Sequence, residues 1–369
     1  MRYIRPVFYD KFSCTADKCP DTCCAGWQII IDEDSLKDYG EVQGAFGKRL
    51  RNSIDWQEGC FYQYNKRCAF LNEHNLCDLY TALGSNALCD TCRKYPRHVE
   101  EYEGLREWSL SLSCPVAAEI ILTQQGFTEF IVEEDDKEDE LEEEFEDFDL
   151  LLFTQLEDAR NAVFQRLRQG HDTVEQNMNL ALLLSKQIQH CLEEGSFFEI
   201  EEVIGQYQEE IDDPDCAEEQ IYQKSLELYH TIYGLERLRP EWTDVLKGMY
   251  QTLYAAGAET YECILQDFEQ YLTEDVQRRY QWENTGLQLF EFFVYTYFCG
   301  AVYDDWIYSK MALAVHSVEF IRELFIARWK QTGQLDMQDY VELSYRYARE
   351  IEHSDQNLNE LEEVFAKQL

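Results

Sequence analysis

Ten of the fourteen cysteines fall within the first 115 residues: Cys14, Cys19, Cys23, Cys24, Cys60, Cys68, Cys77, Cys89, Cys92 and Cys114. Sulfur at that density either pairs as disulfides or ligates metal as thiolate. The opening MRYIRPVFYD carries basic residues but no apolar run or small-residue cleavage site follows it, so a cytoplasmic chain with reduced thiols is expected. The close spacings Cys19 to Cys23 and Cys89 to Cys92 let thiolates from one short loop converge on one ion or cluster. Metal binding is therefore the expected chemistry. Thiolates serve zinc and iron–sulfur clusters alike, and a structural zinc needs only four, so two zinc ions, one or two clusters, or one cluster plus core cysteines all stay open. His74 could add a nitrogen ligand, although LNEHNL reads first as a surface turn. Cys191, Cys216, Cys263 and Cys299 are scattered through helical sequence and read as small buried hydrophobes.

Several signatures are missing. There is no Gly-x-Gly and no Walker loop, so a Rossmann-type nucleotide or S-adenosylmethionine site is not assignable. CTADKCPDTCC also departs from the Cys-x3-Cys-x2-Cys spacing of radical S-adenosylmethionine enzymes. Seventy-three acidic against 32 basic residues leave a net charge of −41, which repels nucleic-acid phosphates and anionic lipids, so neither is an expected partner. The same field draws cationic groups such as exposed lysines, or simply keeps the chain in solution. The longest apolar stretch, Leu287 to Tyr303, is interrupted by Gln288 and Glu291 and suits a buried helix better than a membrane span.

The elements that must position these groups fall into three parts. Residues 1–130 are irregular and Cys-rich, with short apolar runs at Trp27 to Ile31 and Trp108 to Leu112 that read as strands or as loops draped around metal. Residues 131–149 form an acidic linker: from Glu133 to Asp149 nearly every residue is acidic, with only Lys137, Leu141, Phe145 and Phe148 interrupting, and like-charge repulsion predicts an extended segment. The spacing of Leu141, Phe145 and Phe148 offers an acidic helix instead. From 150 to 369 apolar residues recur at helical spacing, as in Leu180, Leu184, Ile188 and Cys191. Breaks at Gly170, Gly195, Asp212 to Pro214, Pro240, Gly257 and Gly333 divide this part into roughly seven helices. The expected fold is mainly α: an irregular Cys-rich metal-binding N-terminal module followed by an α-helical domain.

The blocks KFSCTADKCPDTCCAGWQIIID, CAFLNEHNLCDLYTALGSNALCDTCRKYPRH and SLSLSCPVAAEIIL together resemble the flagellin lysine N-methylase family. WENTGLQLFEFFVYTYFCGAVYDD resembles that family's second characteristic block. The first region is also similar to presumed zinc- or iron-chelating domains that share a double cysteine and later Cys-x-Phe-Leu and Cys-Arg elements. The resemblance implies methyl transfer from S-adenosylmethionine to surface lysines of flagellin, with an iron–sulfur cluster, of 4Fe-4S type, in the enzyme. Spacing and resemblance together narrow the metal ligands to Cys19, Cys23, Cys24, Cys68, Cys77, Cys89 and Cys92, with zinc as the alternative metal. Cys14, Cys60 and Cys114 are further candidates or core residues.

Lysine methylation needs a neutral amine in line with a sulfonium methyl, and aromatic walls attract both cations. Glu283, Asn284, Tyr303 and Asp304 are the catalytic candidates on that ground, with Glu291, Tyr295 and Tyr297 in the same block, which otherwise reads as a Tyr/Phe-rich core helix. Arg93, Tyr95 and Arg97 follow the Cys89–Cys92 pair and are the cofactor-binding candidates, arginine being suited to a cluster's charge or to a donor carboxylate. The competing function is a non-catalytic metal-chelating or electron-transfer protein whose helices dock a partner.

Overall fold

The structure, a computed structural model, describes every residue except 138, 140–144, 146, 171 and 208–217. Much of the acidic run, including Leu141, lies outside the described residues, as do Cys216 and the break at Asp212 to Pro214. The described residues form fifteen α-helices and a few short strands, so the fold is mainly α.

Two hydrophobic cores organise the chain. The smaller holds Ile29, Ile31, Tyr39, Leu50, Ile54, Phe61, Phe70 and Leu79 together with Cys68 and Cys89. Around it lie α1 (Glu33–Glu41), α2 (Gly44–Asn52), the strand pairs β2 (Ile54–Asp55) with β3 (Cys60–Phe61) and β4 (Gln63–Tyr64) with β5 (Arg67–Cys68), α3 (Asp78–Leu83) and α4 (Asp90–Lys94). So small a core needs staples. One is Asp32, whose carboxylate accepts from Ser35 N (2.9 Å) at the start of α1 and from Asp90 N (2.8 Å) at the start of α4. This thiol-rich lobe spans roughly residues 14–94.

The larger core joins the first dozen residues and everything after Tyr102 to the helices. Its sheet has the order β6 (Arg97–Tyr102), β7 (Leu105–Leu110), β1 (Arg2–Pro6), β8 (Phe130–Glu134). β1 runs parallel to β7 and antiparallel to β8, and β6–β7 is a hairpin in which Tyr102 pairs with Leu105. Gly104 takes φ +68°, the left-handed conformation such a tight loop requires. The acidic stretch thus begins inside a strand, Phe130–Glu134, because Phe130, Ile131 and Val132 give it an edge that can pair with β1. Glu107 of β7 and Arg160 form a buried ion pair, Nη1 to Oε2 2.6 Å, that ties the sheet to the helices.

The helices are α5 (Pro115–Leu122), α6 (Leu150–Gln169), α7 (Val174–Glu194), α8 (Ile200–Tyr207), α9 (Glu218–Gly234), α10 (Pro240–Leu253), α11 (Ala258–Thr273), α12 (Val276–Tyr297), α13 (Ile307–Thr332), α14 (Met337–Glu352) and α15 (Asp355–Ala366). The breaks expected at Gly170, Gly195, Pro240, Gly257 and Gly333 are all present. Among the described residues ten helices follow Asp149 rather than seven: Asp275 and Ser354 restart the chain as side-chain N-caps without Gly or Pro, and a 3-10 turn over Phe298–Tyr303 separates α12 from α13. α13 lies at the centre against α7, α10, α12, α14 and α15, and is apolar on nearly every side. No helix among the described residues is long and apolar enough to cross a membrane.

Candidate active site

The lobe's thiols sort into two groups. Cys24, Cys68, Cys77, Cys89 and Cys92 lie within electrostatic reach of one another. Cys19 and Cys23 fall instead with Cys14 and Cys114, close to the Arg349 guanidinium of α14. The neighbours Cys23 and Cys24 are hydrogen-bonded to each other and bridge the groups. Cys60 stands apart and accepts from Gln28 Nε2 at 3.2 Å. Among the described residues no three His, Cys, Asp or Glu side chains stand in geometry that closes on a metal ion. The donor chemistry nevertheless fits a thiolate-bound metal. Cys77, Cys89 and Cys114 are the N-cap residues of α3, α4 and α5, where backbone N–H groups face their sulfurs. The Cys23 hydrogen bond brings the Cys24 thiol down to about 7 despite burial. The Cys92 thiol likewise lowers Cys89, while burial pushes Cys68 up to about 12 and Cys114 up to about 11. Each lowered thiol has a raised neighbour, because the two thiols of a hydrogen-bonded pair share one proton between them once one is ionised.

Between this lobe and the helical body opens a cleft of about 520 Å³, a volume in the range of small-molecule sites. Trp27 and Lys94 line it from the lobe, Tyr95, Arg97, His98, Glu100, Ser109 and Ser111 from the sheet region. Phe292, Thr296 and Tyr297 at the end of α12, then Tyr303, Asp304 and Lys310, close one wall, and Glu352, His353 and Glu362 close the other. Lys310 Nζ lies 2.7 Å from both Asp304 and Glu362. Burial pulls the His98 imidazole down, but Glu100 at 2.6 Å more than offsets it and the pKa is raised. His353 is the reverse: burial, aided by Arg349 and Arg239, drives it down to about 3, so its ring is neutral. That ring stacks on Trp27 with centroids 4.4 Å apart, and Nε2 pairs with Ser113 Oγ at 2.9 Å.

Four buried polar atoms on residues lining the cleft have no hydrogen-bond partner among the described residues: Ser109 Oγ, Thr296 Oγ1, Glu352 Oε1 and Glu362 Oε1. Buried polar groups are normally paired. Four of these exceptions belong to residues around this one cavity.

The cleft brings together four of the seven residues proposed from sequence as catalytic or cofactor-binding. The Tyr95 hydroxyl meets Ser113 Oγ at 3.1 Å and its ring packs on Trp27 and His353. Arg97 lies over the rings of Phe12 and Tyr9 and makes no ion pair among the described residues. The Tyr303 hydroxyl donates to Glu101 O, and Asp304 holds Lys310.

The other three lie elsewhere. Arg93 donates to Leu88 O at 2.7 Å and pairs with Asp90 in its own helix. Glu283 pairs with Arg279 and lines a separate small cavity beside Val174 and Arg322. Asn284 accepts from Gly126 N (2.9 Å) and donates to Gln124 O (2.8 Å), and Glu291 accepts from Thr128 N (2.9 Å), so this face of α12 holds the loop after α5. Sequence block and site diverge because α12 separates Glu283 from Tyr297 by roughly 21 Å, at about 1.5 Å per residue. Glu352, His353, Lys310 and Glu362 escaped sequence reading, for they stand in or at the end of helices with no spacing that marks chemistry.

Fold and cleft define a mainly α-helical protein with a thiol-rich lobe and a polar, aromatic-walled cavity where lobe and helices meet. The sequence model of the FliB lysine N-methylase C-terminal domain matches residues 160–369, and the chain belongs to the FliB lysine N-methylase family. The flagellar biosynthetic protein FliU of Salmonella muenchen is 32% identical over 126 residues, covering 32% of this chain and 75% of that protein. The lysine-N-methylase of Salmonella typhimurium is also 32% identical over 126 residues, and the match spans 31% of its length. No solved structure matches the chain.

Proposed function

We propose that the chain is a protein-lysine N-methyltransferase that moves a methyl group from S-adenosylmethionine to lysine side chains of flagellin in the cleft between lobe and helical body. One observation carries the reading: a cavity of about 520 Å³ joins Tyr95, Arg97, Tyr303 and Asp304, from two distant blocks of the family resemblance, and is rimmed by buried polar atoms without partners. Family membership supports the reaction, and the net charge of −41 supports a cationic substrate.

Arg97, at the rim and without an ion pair among the described residues, suits the carboxylate of the methyl donor, and the rings of Tyr95, Tyr297 and Tyr303 suit cationic groups. Trp27, stacked on neutral His353, gives that end an apolar wall. Cys24, Cys68, Cys77, Cys89 and Cys92 would hold an iron–sulfur cluster or zinc, with Cys14, Cys19, Cys23 and Cys114 as the neighbouring thiols. Such a group supplies a Lewis-acidic or redox centre and braces the lobe. Cys92 and the cleft-lining Lys94 share α4, so a metal bound there fixes one wall of the cavity.

The test is anaerobic purification with iron, sulfide and zinc analysis, followed by incubation with S-adenosylmethionine and flagellin and mass spectrometry of the product. Increments of one methylene on lysine are expected. Flagellin left unmodified by metal-replete protein overturns the proposal. Cys68→Ala should strip the metal, whereas Cys60→Ala should leave it bound.

A further inference from the structure

We infer that Glu352 is the carboxylate that receives the ammonium of the substrate lysine, because it lines the cleft fixed through Oε2 while its Oε1 has no hydrogen-bond partner among the described residues. The inference rests on the reading of the cleft as the site of lysine methylation and adds the contact that selects an amine.

The other acids of the cleft are committed or loose. Asp304 and Glu362 share Lys310, at 2.7 Å each, and Glu100 is held by His98 at 2.6 Å. Asp355 is exposed at the first turn of α15. Glu352 is different. Its Oε2 accepts from Ser113 N at 3.0 Å and from Ser111 Oγ, which fixes the carboxylate from the end of β7. Oε1 is buried and without a partner. Two further partnerless groups, Ser109 Oγ and Thr296 Oγ1, line the same cavity on residues 4% and 5% exposed. An ammonium is a donor-only group that carries the charge opposite to a carboxylate's.

The contact also serves the reaction. A lysine ammonium has no lone pair and must lose a proton before it can attack carbon. Glu352 Oε1 takes that proton as the N–H bond breaks. The freed pair forms the N–C bond while the C–S bond of a sulfonium donor breaks and sulfur keeps its electrons. Burial raises the Glu352 pKa against the hydrogen bonds from Ser111 and Ser113, and the facing titratable groups are His98 of β6 and Tyr297 of α12. A carboxylate so placed binds a proton more readily than one in water.

The experiment is calorimetric titration of the full chain with n-butylammonium, which carries the reacting end of lysine, and with n-butanol as its uncharged counterpart. Wild type should bind the ammonium at least tenfold more tightly than the alcohol. Glu352→Gln should lose about tenfold in ammonium affinity and none for the alcohol, and Glu352→Asp, which keeps the charge, should stay within about threefold of wild type. Equal binding of ammonium and alcohol by wild type overturns the inference whatever the variants do. So does an unchanged ammonium affinity in a Glu352→Gln protein with the wild-type far-ultraviolet helical signal. S-adenosylhomocysteine carries the other candidate ammonium, an α-amino group; a tenfold loss confined to that ligand in Glu352→Gln would move Glu352 to the donor's side and overturn the lysine assignment. Wild type that binds n-butylammonium as stated yet leaves flagellin unmethylated defeats the methylase reading and leaves the amine site standing.

Discussion

The thiol-rich lobe and the helical body place their chemistry by opposite means. In the lobe, reactive groups are neighbours in sequence: Cys23 beside Cys24, and Cys89 one helical turn from Cys92, each pair hydrogen-bonded sulfur to sulfur. In the body, the cleft collects Tyr95, Thr296, Lys310, Glu352 and Glu362 from a strand edge and four helices. The lobe has a small core that metal would reinforce, whereas the body has a large continuous core that needs none. Local spacing therefore brings the thiols of the first into view. Only the packed fold reveals what the second can bind.

The strongest way to break this contrast is at the seam between sheet and helices. Glu107 and Arg160 are 2% and 4% exposed and pair in a two-pronged contact, with Arg160 also lying over the Tyr295 ring at 5.4 Å. Arg160→Leu leaves Glu107 buried without a counter-charge, a loss of about 3–5 kcal/mol. The double variant Glu107→Leu, Arg160→Leu should recover most of it, because paired removal costs no stranded charge. Chemical denaturation followed by far-ultraviolet circular dichroism measures both. If the lobe is held by its own core and metal, metal content at low denaturant should be unchanged in the single variant.

The same contrast decides how much was legible beforehand. The mainly helical body, its glycine and proline breaks and the pairing of Cys89 with Cys92 follow from periodicity and spacing. The division of the thiols does not, because Cys114 meets Cys19 only through α5, and Arg349 joins them from α14. Tyr95 with Arg97 and Tyr303 with Asp304 were found by resemblance, and the fold adds that both pairs face one cavity. Glu283 and Asn284 stand in the same block as Tyr303, yet a long helix carries them to the far end of the body. Glu352 was invisible in sequence because nothing near it in EIEHSD has chemical spacing; its partners Ser111 and Ser113 are more than two hundred residues away.

A second test concerns the face of α12 that holds the loop after α5. Glu291 is 3% exposed, and burial lifts its carboxyl to about 8 against the hydrogen bonds from Thr128. A carboxyl raised in the folded state favours folding while protonated, so its contribution is complete below the ordinary carboxylate range and is lost as pH rises through about 8. Glu291→Gln removes that dependence. Thermal melts should show the variant gaining on wild type from about pH 5.5 to about pH 9, by an amount on the order of a few kcal/mol. A constant difference across that range would mean that Glu291 is ionised throughout.

The smallest expected effect is the most discriminating. Asn284 gives both ends of its amide to the loop, accepting from Gly126 N and donating to Gln124 O, and it does not line the cleft. Asn284→Ala removes two hydrogen bonds to backbone groups and should destabilise the fold by about 1–3 kcal/mol. Methyl transfer measured well below the melting transition should change little, since the residue lies one helix-length from Tyr297 and Tyr303. Tyr303→Phe reverses the pattern: it gives up one bond from an exposed hydroxyl to Glu101 O, with a stability loss of about 1 kcal/mol. At 55% exposure and on the cleft wall, that hydroxyl should matter more to turnover than to folding. If Asn284→Ala instead abolished transfer in a fully folded protein, the active site would reach along α12, and the boundary drawn between the helix's loop-holding end and its cleft-lining end would have to be moved.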